Sequence, residues 1–338
     1  MDATLLSYGS DQSGLICGYV FDGTAAGRAI TTELALEWLR HRDRHPQGEF
    51  IWLHLNLANA HSEKWLIDHA GLPEEFYETL HEGSRSTRIE HANGTLIAVV
   101  NDVLYDFSFN PSDISTLWAG VDARVVITAR RHPLQSIDRL REAVNKGEPI
   151  HSTVELLNHL LHDQADVLVN IVRDSIKRVD NIEDGLLSGR LHSKRTDIGA
   201  LRRVLVRLQR LLAPEPAALF RLLQRPPTWI VESDLQELRQ STEEFSVVLN
   251  DMASLQERIK LLQEEIAARV NEENNRSLFV LTIVTVLALP INILAGLFGM
   301  NVGGIPLGQN ENGFWIVAGI VLTFTALAAW FVFRKRDD

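Results

Sequence analysis

The segment LFVLTIVTVLALPINILAGLF, residues 278–298, decides the fold, because its 21 consecutive residues carry no charge. A second uncharged segment, FWIVAGIVLTFTALAAWFVF, occupies residues 314–333. At a rise of 1.5 Å per residue, each segment spans roughly 30 Å as a helix, which matches the hydrocarbon core of a bilayer. We therefore predict two transmembrane helices near the C-terminal end, over residues 277–299 and 314–333.

Basic residues indicate the orientation of this hairpin. Arg276 precedes the first segment and the tail RKRDD, residues 334–338, follows the second, whereas the connecting loop at 300–313 has no Lys or Arg. Because positively charged residues stay on the cytoplasmic side, both termini are predicted to lie in the cytoplasm and the loop outside. The sequence thus predicts a multi-pass membrane protein.

The remainder of the chain is acidic. Residues 1–276 carry 30 Lys and Arg against 41 Asp and Glu. Nucleic-acid binding needs clustered basic residues, so we expect no nucleic-acid partner, whereas an acidic surface is compatible with attracting cations. The single Cys17 excludes an intrachain disulfide and a cysteine-based zinc cluster, and its apolar neighbours predict a buried side chain. The N-terminus lacks the features of a signal peptide, which predicts that residues 1–150 are cytosolic.

The first 150 residues alternate strand-like and helix-like runs. GLICGYVF and EFIWLHLNL are strand candidates, and Asn93-Gly94 is a strong hairpin-turn signal. These runs predict a small α/β domain with a mixed sheet. No glycine-rich nucleotide loop, nucleophile elbow or zinc-protease motif occurs in it, so we expect neither an enzyme nor a bound cofactor. Residues 151–227 predict a helical hairpin that begins at a capping box of Ser152 and Glu155.

One long helix is predicted after Pro226-Pro227, because neither Pro nor Gly occurs between residues 228 and 289. It forms a stalk at 228–276 and continues into the first membrane span. Its apolar residues recur every three or four positions and form a packing seam: Leu238, Phe245, Val248, Met252, Leu255, Ile259, Leu262 and Ile266. A second stripe on nearly the opposite face runs from stalk to membrane: Asn250, Ser254, Glu257, Leu261, Glu264, Ala268, Asn271, Asn275, Leu278, Thr282, Thr285, Leu289, Asn292 and Gly296.

The second stripe has two interpretations. A sustained repeat of about 3.5 residues favours symmetric helix association. Polar groups such as Thr282, Thr285 and Asn292 are costly in hydrocarbon, so their face should contact protein or water. This predicts a central pore lined by Asn275, Leu278, Thr282, Thr285, Leu289 and Asn292. The alternative is that these groups form hydrogen bonds between packed helices and that no pore exists.

A short motif adds a family resemblance. Gly299-Met300-Asn301 stands at the outer end of the first span, after the run LPINILAGLF and close to a second span with a basic tail. Together with the α/β domain and the stalk, this arrangement resembles the CorA superfamily of divalent metal ion transporters over essentially the whole chain. The loop VGGIPLG at 302–308 looks most similar to the zinc-transporting ZntB branch. Magnesium-type members usually have an acidic loop, whereas Glu311 is the only acidic loop residue here.

The resemblance implies an α+β membrane protein that assembles as a funnel-shaped homopentamer in the bacterial inner membrane. It implies transport of zinc, and of other divalent cations such as cadmium, nickel and cobalt, with coupling to protons. Gly299, Met300 and Asn301 would form the outer mouth, where a ring of Asn301 amide oxygens receives a hydrated cation. Along the pore, the threonines and Asn292 would contact ion-bound water, and rings of Leu278 and Leu289 would act as constrictions.

Histidine pairs are further candidates for metal binding. His159 and His162 are separated by three positions, and His41 and His45 by four, so each pair shares one face of a helix. Such spacing suits zinc, but neither pair supplies three ligands locally. The competing interpretation is an ordinary helix surface.

Glu257 and Glu264 on the second stripe are better placed to attract cations, although a solvated charged face explains them equally well. Two other functions remain open. One is a magnesium channel of the CorA type, and the other is a membrane-anchored regulatory domain that transports nothing. The direction of transport is not encoded in any motif of the sequence.

Overall fold

The computed structural model of the chain describes residues 9–82, 87–187, 194–300 and 311–334. The chain divides into an N-terminal unit, Met1–Gln263, and a C-terminal unit, Glu264–Asp338. The boundaries predicted at residues 150, 227 and 276 remain predictions, since the observed division falls inside one helix.

A mixed sheet of 7 strands forms the centre of the N-terminal unit. The strands are β1 (Leu15–Phe21), β2 (Arg28–Ala29), β3 (Phe50–Asn56), β4 (Arg88–Ala92), β5 (Thr95–Val103), β6 (Ile114–Val121) and β7 (Val125–Arg130). Their order is β2-β1-β3-β7-β6-β5-β4. The pair β3–β7 is parallel and the other described pairs are antiparallel, so the predicted mixed sheet is confirmed.

The turn between β4 and β5 is the one that the Asn-Gly pair predicts. Asn93 has φ 50° and Gly94 has φ 84°. Two successive positive φ values are the signature of the tight hairpin turn whose twist matches that of the strands, and Asn and Gly adopt them at least cost.

The described helices are α1 (Thr32–Arg40), α2 (Ser62–His69), α3 (Glu74–Glu82), α4 (Gln135–Asn145), α5 (Thr153–Leu187), α6 (Lys194–Leu212), α7 (Pro214–Gln224), α8 (Glu232–Phe298) and α9 (Gly313–Arg334). Helices α1–α5 and α7 cover both faces of the sheet. Side chains alternate along β3: Ile51 and Leu53 pack with α1–α3, whereas Phe50 and Trp52 face the cluster that includes α4, α5 and α7. Because both faces are covered, β3 reads as a continuous apolar run.

The start of α5 differs in one contact from the predicted capping box, and α7 is not expected from the sequence. At the start of α5 the Glu155 amide donates to Ser152 Oγ at 2.9 Å, but the Glu155 carboxylate accepts from the His151 amide at 2.5 Å instead of from Ser152. The sequence pattern does not predict α7, because Pro214 reads as a helix terminator. Proline is equally favoured in a first helical turn, and here it begins α7.

Cys17 lies on β1, partly buried against the core cluster on the α4–α5 side. Burial raises the pKa of its thiol to about 12, which outweighs the opposing effect of nearby arginines. The interpretation of Cys17 as a small packed side chain is therefore supported.

The long helix α8 contains 67 residues, so it measures about 100 Å at 1.5 Å per residue. It begins at Glu232, four positions after the predicted start, because the preceding turn docks on the sheet: Trp229 Nε1 donates to the Gly94 carbonyl at 2.7 Å. Pro290 lies inside the helix. By length and apolar composition α8 is able to cross a membrane, and the described apolar part of α9, Gly313–Ala328, is shorter.

Candidate functional site

The apolar seam of α8 is buried, as its spacing predicts. Each member is at most 7 % exposed: Leu238, Phe245, Val248, Met252, Leu255, Ile259, Leu262 and Ile266. Burial of such side chains stabilises a fold by about 1.5–3 kcal/mol each. One face of the long helix is therefore occupied by packing and is not available as a binding surface.

Polar contacts fix the rotation of α8 in the N-terminal unit. Arg258 forms a fork with α5, through Nη2 to Asp180 Oδ1 at 2.7 Å and to Glu183 Oε2 at 2.6 Å. Its Nε donates to the second oxygen of Glu183 at 3.0 Å. From α6, Arg202 Nη1 donates to Gln263 Oε1 at 2.9 Å. These contacts and the seam together determine which residues of α8 point away from the unit.

The second stripe is exposed along its whole length. From here on it is called the exposed stripe, and it consists of Asn250, Ser254, Glu257, Leu261, Glu264, Ala268, Asn271, Asn275, Leu278, Thr282, Thr285, Leu289, Asn292 and Gly296. Its leucines are 57 % (Leu261), 60 % (Leu278) and 57 % (Leu289) exposed. Surrounding lipid would account for exposed leucines in a membrane-spanning segment. It would not account for Leu261, which belongs to the N-terminal unit.

The threonines of the exposed stripe form hydrogen bonds within their own helix. Thr282 Oγ1 donates to the Leu278 carbonyl at 2.8 Å, and Thr285 Oγ1 donates to the Leu281 carbonyl at 2.9 Å. Each hydroxyl proton is thus used, while the oxygen keeps lone pairs that face outwards. Thr323 and Thr325 of α9 form the same type of bond. The bond alone therefore does not distinguish a pore from a packed helix.

The described part of the Gly-Met-Asn motif lies at the end of α8. The Gly299 amide donates to the Ala295 carbonyl at 2.9 Å. A Cβ at Gly299 would lie only 3.1 Å from that same carbonyl oxygen, so glycine suits this helix end. Met300 is 51 % exposed. Asn301 lies outside the described residues.

A cavity of about 530 Å³ separates the ends of α8 and α9 within the C-terminal unit. Apolar residues of both helices line it, among them Ile291, Phe298, Phe314 and Val321. Interiors of proteins are close-packed, with few voids of this size. A single copy of this hairpin is therefore incompletely packed near the motif.

His159 and His162 both line one cavity of the N-terminal unit, but each ring contacts carboxylates of its own. His159 Nδ1 lies 3.1 Å from Asp163 Oδ2 and its Nε2 lies 3.4 Å from Glu148 Oε1. The Asp163 carboxylate, more than Glu148, raises the pKa of His159 to about 9. At neutral pH the ring is an imidazolium, which has no lone pair for a metal. His162 Nδ1 instead lies 3.6 Å from Glu244 Oε2.

The other pair, His41 and His45, does not share a helix face as predicted, because α1 ends at Arg40. His45 Nδ1 lies 2.9 Å from Glu49 Oε1, and its ring stacks on Trp38 at 4.6 Å. Within the described ranges, no three His, Cys, Asp or Glu side chains are grouped to hold a metal ion. The proposed metal binding by these histidines therefore stays a prediction.

Glu257 and Glu264 are both exposed, as expected of residues on the stripe. Glu257 Oε1 lies 3.1 Å from Lys260 Nζ on the same helix. The two glutamates stand seven positions apart, so they lie two turns apart on one helix face. This spacing suits a graded attraction for cations better than shared coordination of one ion.

Comparison with known proteins gives a consistent result. The family described as CorA-like Mg2+ transporter protein matches residues 47–336. A protein named divalent cation transporter CmaX, from Pseudomonas aeruginosa, is 31 % identical over 332 residues, which is 96 % of this chain and 97 % of the relative. Zinc transport protein ZntB from Yersinia pestis is 24 % identical over 329 residues, covering 96 % of each chain.

Solved structures show the same similarity. The structure of full-length CmaX protein superposes with a TM-score of 0.79 at 30 % identity and covers 97 % of this chain and 99 % of its own. The CorA magnesium transporter from Methanocaldococcus jannaschii gives a TM-score of 0.72 at 18 % identity, covering 93 % of this chain and 96 % of its own. At that identity the second comparison establishes the fold alone.

Proposed function

Because this chain belongs to the CorA family of divalent metal ion transporters, we propose that it carries zinc across the bacterial inner membrane. The path is a central pore of a homopentamer, and α8 of each copy presents the exposed stripe to the axis. In this arrangement α9 is the second membrane span, and both termini lie in the cytoplasm.

The exposed stripe is the observation that carries this proposal. It keeps one register from Asn250 to Gly296 and crosses from a charged stalk into an uncharged segment. Leu261 is 57 % exposed in a part of the chain that lies outside the membrane. Contact of this apolar side chain with water is unfavourable, so we expect another copy of the chain to cover it or the narrow axis of the pore to enclose it. Helices that share one such register associate symmetrically, and a ring of them turns the stripe inwards.

The chemistry of the stripe suits a hydrated cation. Water molecules bound to a divalent ion point their hydrogens outwards and so need acceptors on the wall. The outward lone pairs of Thr282 and Thr285 and the amide oxygen of Asn292 supply such acceptors. No Asp or Glu occurs between residues 277 and 310, so the path offers no anion strong enough to strip the water. Leu278 and Leu289 would form the apolar constrictions.

Residues outside the membrane complete the path. Glu257 and Glu264 lie on the same stripe and would raise the local concentration of cations at the inner end. Gly299, Met300 and Asn301 would form the outer mouth, with the Asn301 amide as the first polar group that an ion meets. Zinc is favoured over magnesium because the external loop carries a single acid, Glu311. The zinc transport protein ZntB relatives support the same choice.

Magnesium is the second candidate, because the matching family is described by that ion and CmaX is named without a specific metal. Ion competition separates the two candidates. The purified chain in vesicles that contain a zinc-sensitive dye should show zinc influx above protein-free vesicles. A tenfold excess of nickel or cobalt should inhibit this influx more than the same excess of magnesium.

The same vesicles test proton coupling and the simple-anchor alternative. Zinc flux is measured with pH and voltage gradients of both signs; coupling predicts acceleration by an inward proton gradient at zero voltage. Flux no higher than in protein-free vesicles, with a monomer or dimer in detergent, would reject transport. Magnesium flux that is insensitive to zinc would reject the choice of ion alone.

A further inference from the structure

Glu215 is a buried carboxyl group that the ion pathway does not use. It lies in the first turn of α7 and is 0 % exposed. Its Oε2 accepts a hydrogen bond from Gln164 Nε2 of α5 at 3.3 Å. Within the described chain its other oxygen, Oε1, has no hydrogen-bond partner. A charged carboxylate in this position would lack most of the donors that a buried anion requires.

The surroundings of Glu215 join several elements of the N-terminal unit. Gln164 Nε2 also donates to the Asn101 carbonyl of β5 at 2.6 Å. The next residue of β5, Asp102, is 3 % exposed and accepts from the amide of Ser136 on α4 at 3.1 Å. At this point α7, α5, β5 and α4 therefore share one buried polar cluster, and Glu215 is its least satisfied member.

The charges near Glu215 do not favour ionisation. Burial is the main cause that raises the pKa of Glu215 to about 8, and the neighbouring Asp102 carboxyl acts in the same direction. Burial likewise raises the pKa of Asp102 to about 6. The Gln164 hydrogen bond opposes the shift, but an uncharged amide offsets only part of the loss of solvation.

The elements packed against α7 carry further charged groups, but Asp102 is the charged neighbour that acts on the Glu215 carboxyl. On α5, Asp163 bonds to His159. On β4, Arg88 Nε pairs with Glu90 at 2.7 Å on the surface. The α6 helix contributes the partly buried Arg207, and α7 itself contributes the exposed Arg221. In the described chain none of them forms an ion pair with Glu215.

We propose that Glu215 is a proton-binding site, protonated at neutral pH, and that loss of its proton loosens the junction of α7 with α5 and β5. The physical reason is that the ionised form has one amide donor for two oxygens and a carboxyl neighbour. Water must enter to solvate it, and α7 must move to admit the water. The site would make the N-terminal unit responsive to alkaline pH independently of whether the chain transports zinc.

Infrared spectroscopy of the full-length protein tests the protonation. The carbonyl stretch of a protonated carboxylic acid should be present at pH 6.5 and lose intensity with a midpoint near pH 8, and the part of the band that titrates near pH 8 should be absent from Glu215→Gln. Glu243→Gln, at an exposed position of α8, is the matched control and should keep the band. Absence of the band from the wild-type protein at pH 6.5 would overturn the proposal.

Hydrogen–deuterium exchange, corrected for the intrinsic effect of pH, tests the loosening. Exchange in residues 211–224 should rise at least tenfold between pH 6.5 and pH 9 in the wild type and in Glu243→Gln, but not in Glu215→Gln. An equal rise in all three proteins would contradict the role of this carboxyl. If Glu215→Gln does not fold, Asp102→Asn tests the effect of the neighbouring carboxyl. Where the charge of Asp102 repels Glu215, its removal should lower the pH at which the band disappears. Where Asp102 instead donates a hydrogen bond to Glu215, the band should disappear at a higher pH than in the wild type. The proposal requires the lower pH.

Discussion

At the scale of single residues, the same side-chain chemistry has different meanings in different positions. Thr285 and Thr323 both donate their hydroxyl to a carbonyl of their own helix, at 2.9 Å and 2.8 Å. Only Thr285 lies in the register that continues from the stalk, with Asn292 two turns further on. The position of an acceptor relative to the stripe, more than its hydrogen bonding, should therefore decide whether it affects an ion.

Substitution of these two threonines gives a matched test. Thr285→Val removes an acceptor from the exposed stripe and should lower zinc flux in vesicles several-fold, whereas Thr323→Val should leave it within twofold. Asn292→Leu removes an amide oxygen and should lower flux at least tenfold. Equal effects of the two valine variants would argue that the threonines serve helix packing alone.

His159 predicts a dependence of stability on pH. Its folded-state pKa is raised to about 9 from 6.5, chiefly by Asp163. A raised pKa means that the folded state binds more protons, so the contribution is complete below about pH 6.5 and is lost as the pH rises through 9. We expect His159 to contribute roughly 1–2 kcal/mol to the free energy of unfolding, because its partial exposure to solvent weakens its ion pairs.

Thermal unfolding in detergent between pH 6.5 and 9 measures this contribution. The melting temperature of the wild type should fall over this window, and His159→Gln should flatten part of the fall. His162→Gln, whose ring is more exposed, serves as the control and should keep the wild-type slope. A slope unchanged in His159→Gln would show that the two carboxylates do not stabilise the imidazolium.

At the scale of elements, α8 combines two functions on two faces. The seam is buried, and the residues of the exposed stripe are exposed. Arg258 sets the rotation between these faces because its guanidinium contacts two acids of α5. Between Glu232 and Pro290 the helix contains neither Gly nor Pro.

Arg258→Met should loosen this orientation while the apolar stem of the side chain stays in place. The ion pairs are partly exposed, so the cost should be about 0.5–1 kcal/mol. Hydrogen–deuterium exchange should increase in residues 176–187 of α5. Lys260→Met, which breaks a pair within α8 only, should leave α5 unchanged; similar exchange in both variants would count against the orienting role.

The sequence predicts the elements better than it predicts the contacts between distant ones. Runs of consecutive apolar residues identify β3 and β5, and spacings of three or four residues identify the buried seam of α8, because buried faces dictate these patterns. The Asn93-Gly94 turn follows from backbone sterics alone. By contrast, the contacts of His159 with Glu148 and of Glu215 with Gln164 depend on tertiary packing. A single Glu after a proline carries no local signal that it will be buried. The helix α7 is not predicted because Pro214 indicates the end of one helix as readily as the start of another.

At the scale of the whole molecule, charge and apolar surface are segregated along the chain. Of the 44 Asp and Glu residues, 41 lie before position 277, and the uncharged segments follow. Leu261 belongs to the acidic part but remains exposed, and a cavity lies between α8 and α9 in the other unit. A single copy therefore leaves apolar surface uncovered in both units, which supports the proposed assembly of several copies.

Leu261→Asp tests this assembly. In a symmetric ring the change places one carboxylate from every copy near the axis, and the like charges repel. Native mass spectrometry should show five copies for the wild type and a shift towards smaller species for the variant. Val206→Asp, at an exposed site on α6, should keep the wild-type mass. An unchanged mass for Leu261→Asp would place the stripe away from the axis.

The packing of Cys17 has a practical consequence for such experiments. A thiol with its pKa raised to about 12 is almost entirely unreactive towards alkylating reagents near neutral pH. Because it is the only cysteine in the chain, the wild-type sequence already serves as a nearly silent background for site-directed labelling. Cysteines introduced one at a time from Asn250 to Gly296 would report their own accessibility to charged and uncharged reagents. A periodic pattern of labelling along α8 would then reveal which face meets water, without any assumption about the ion.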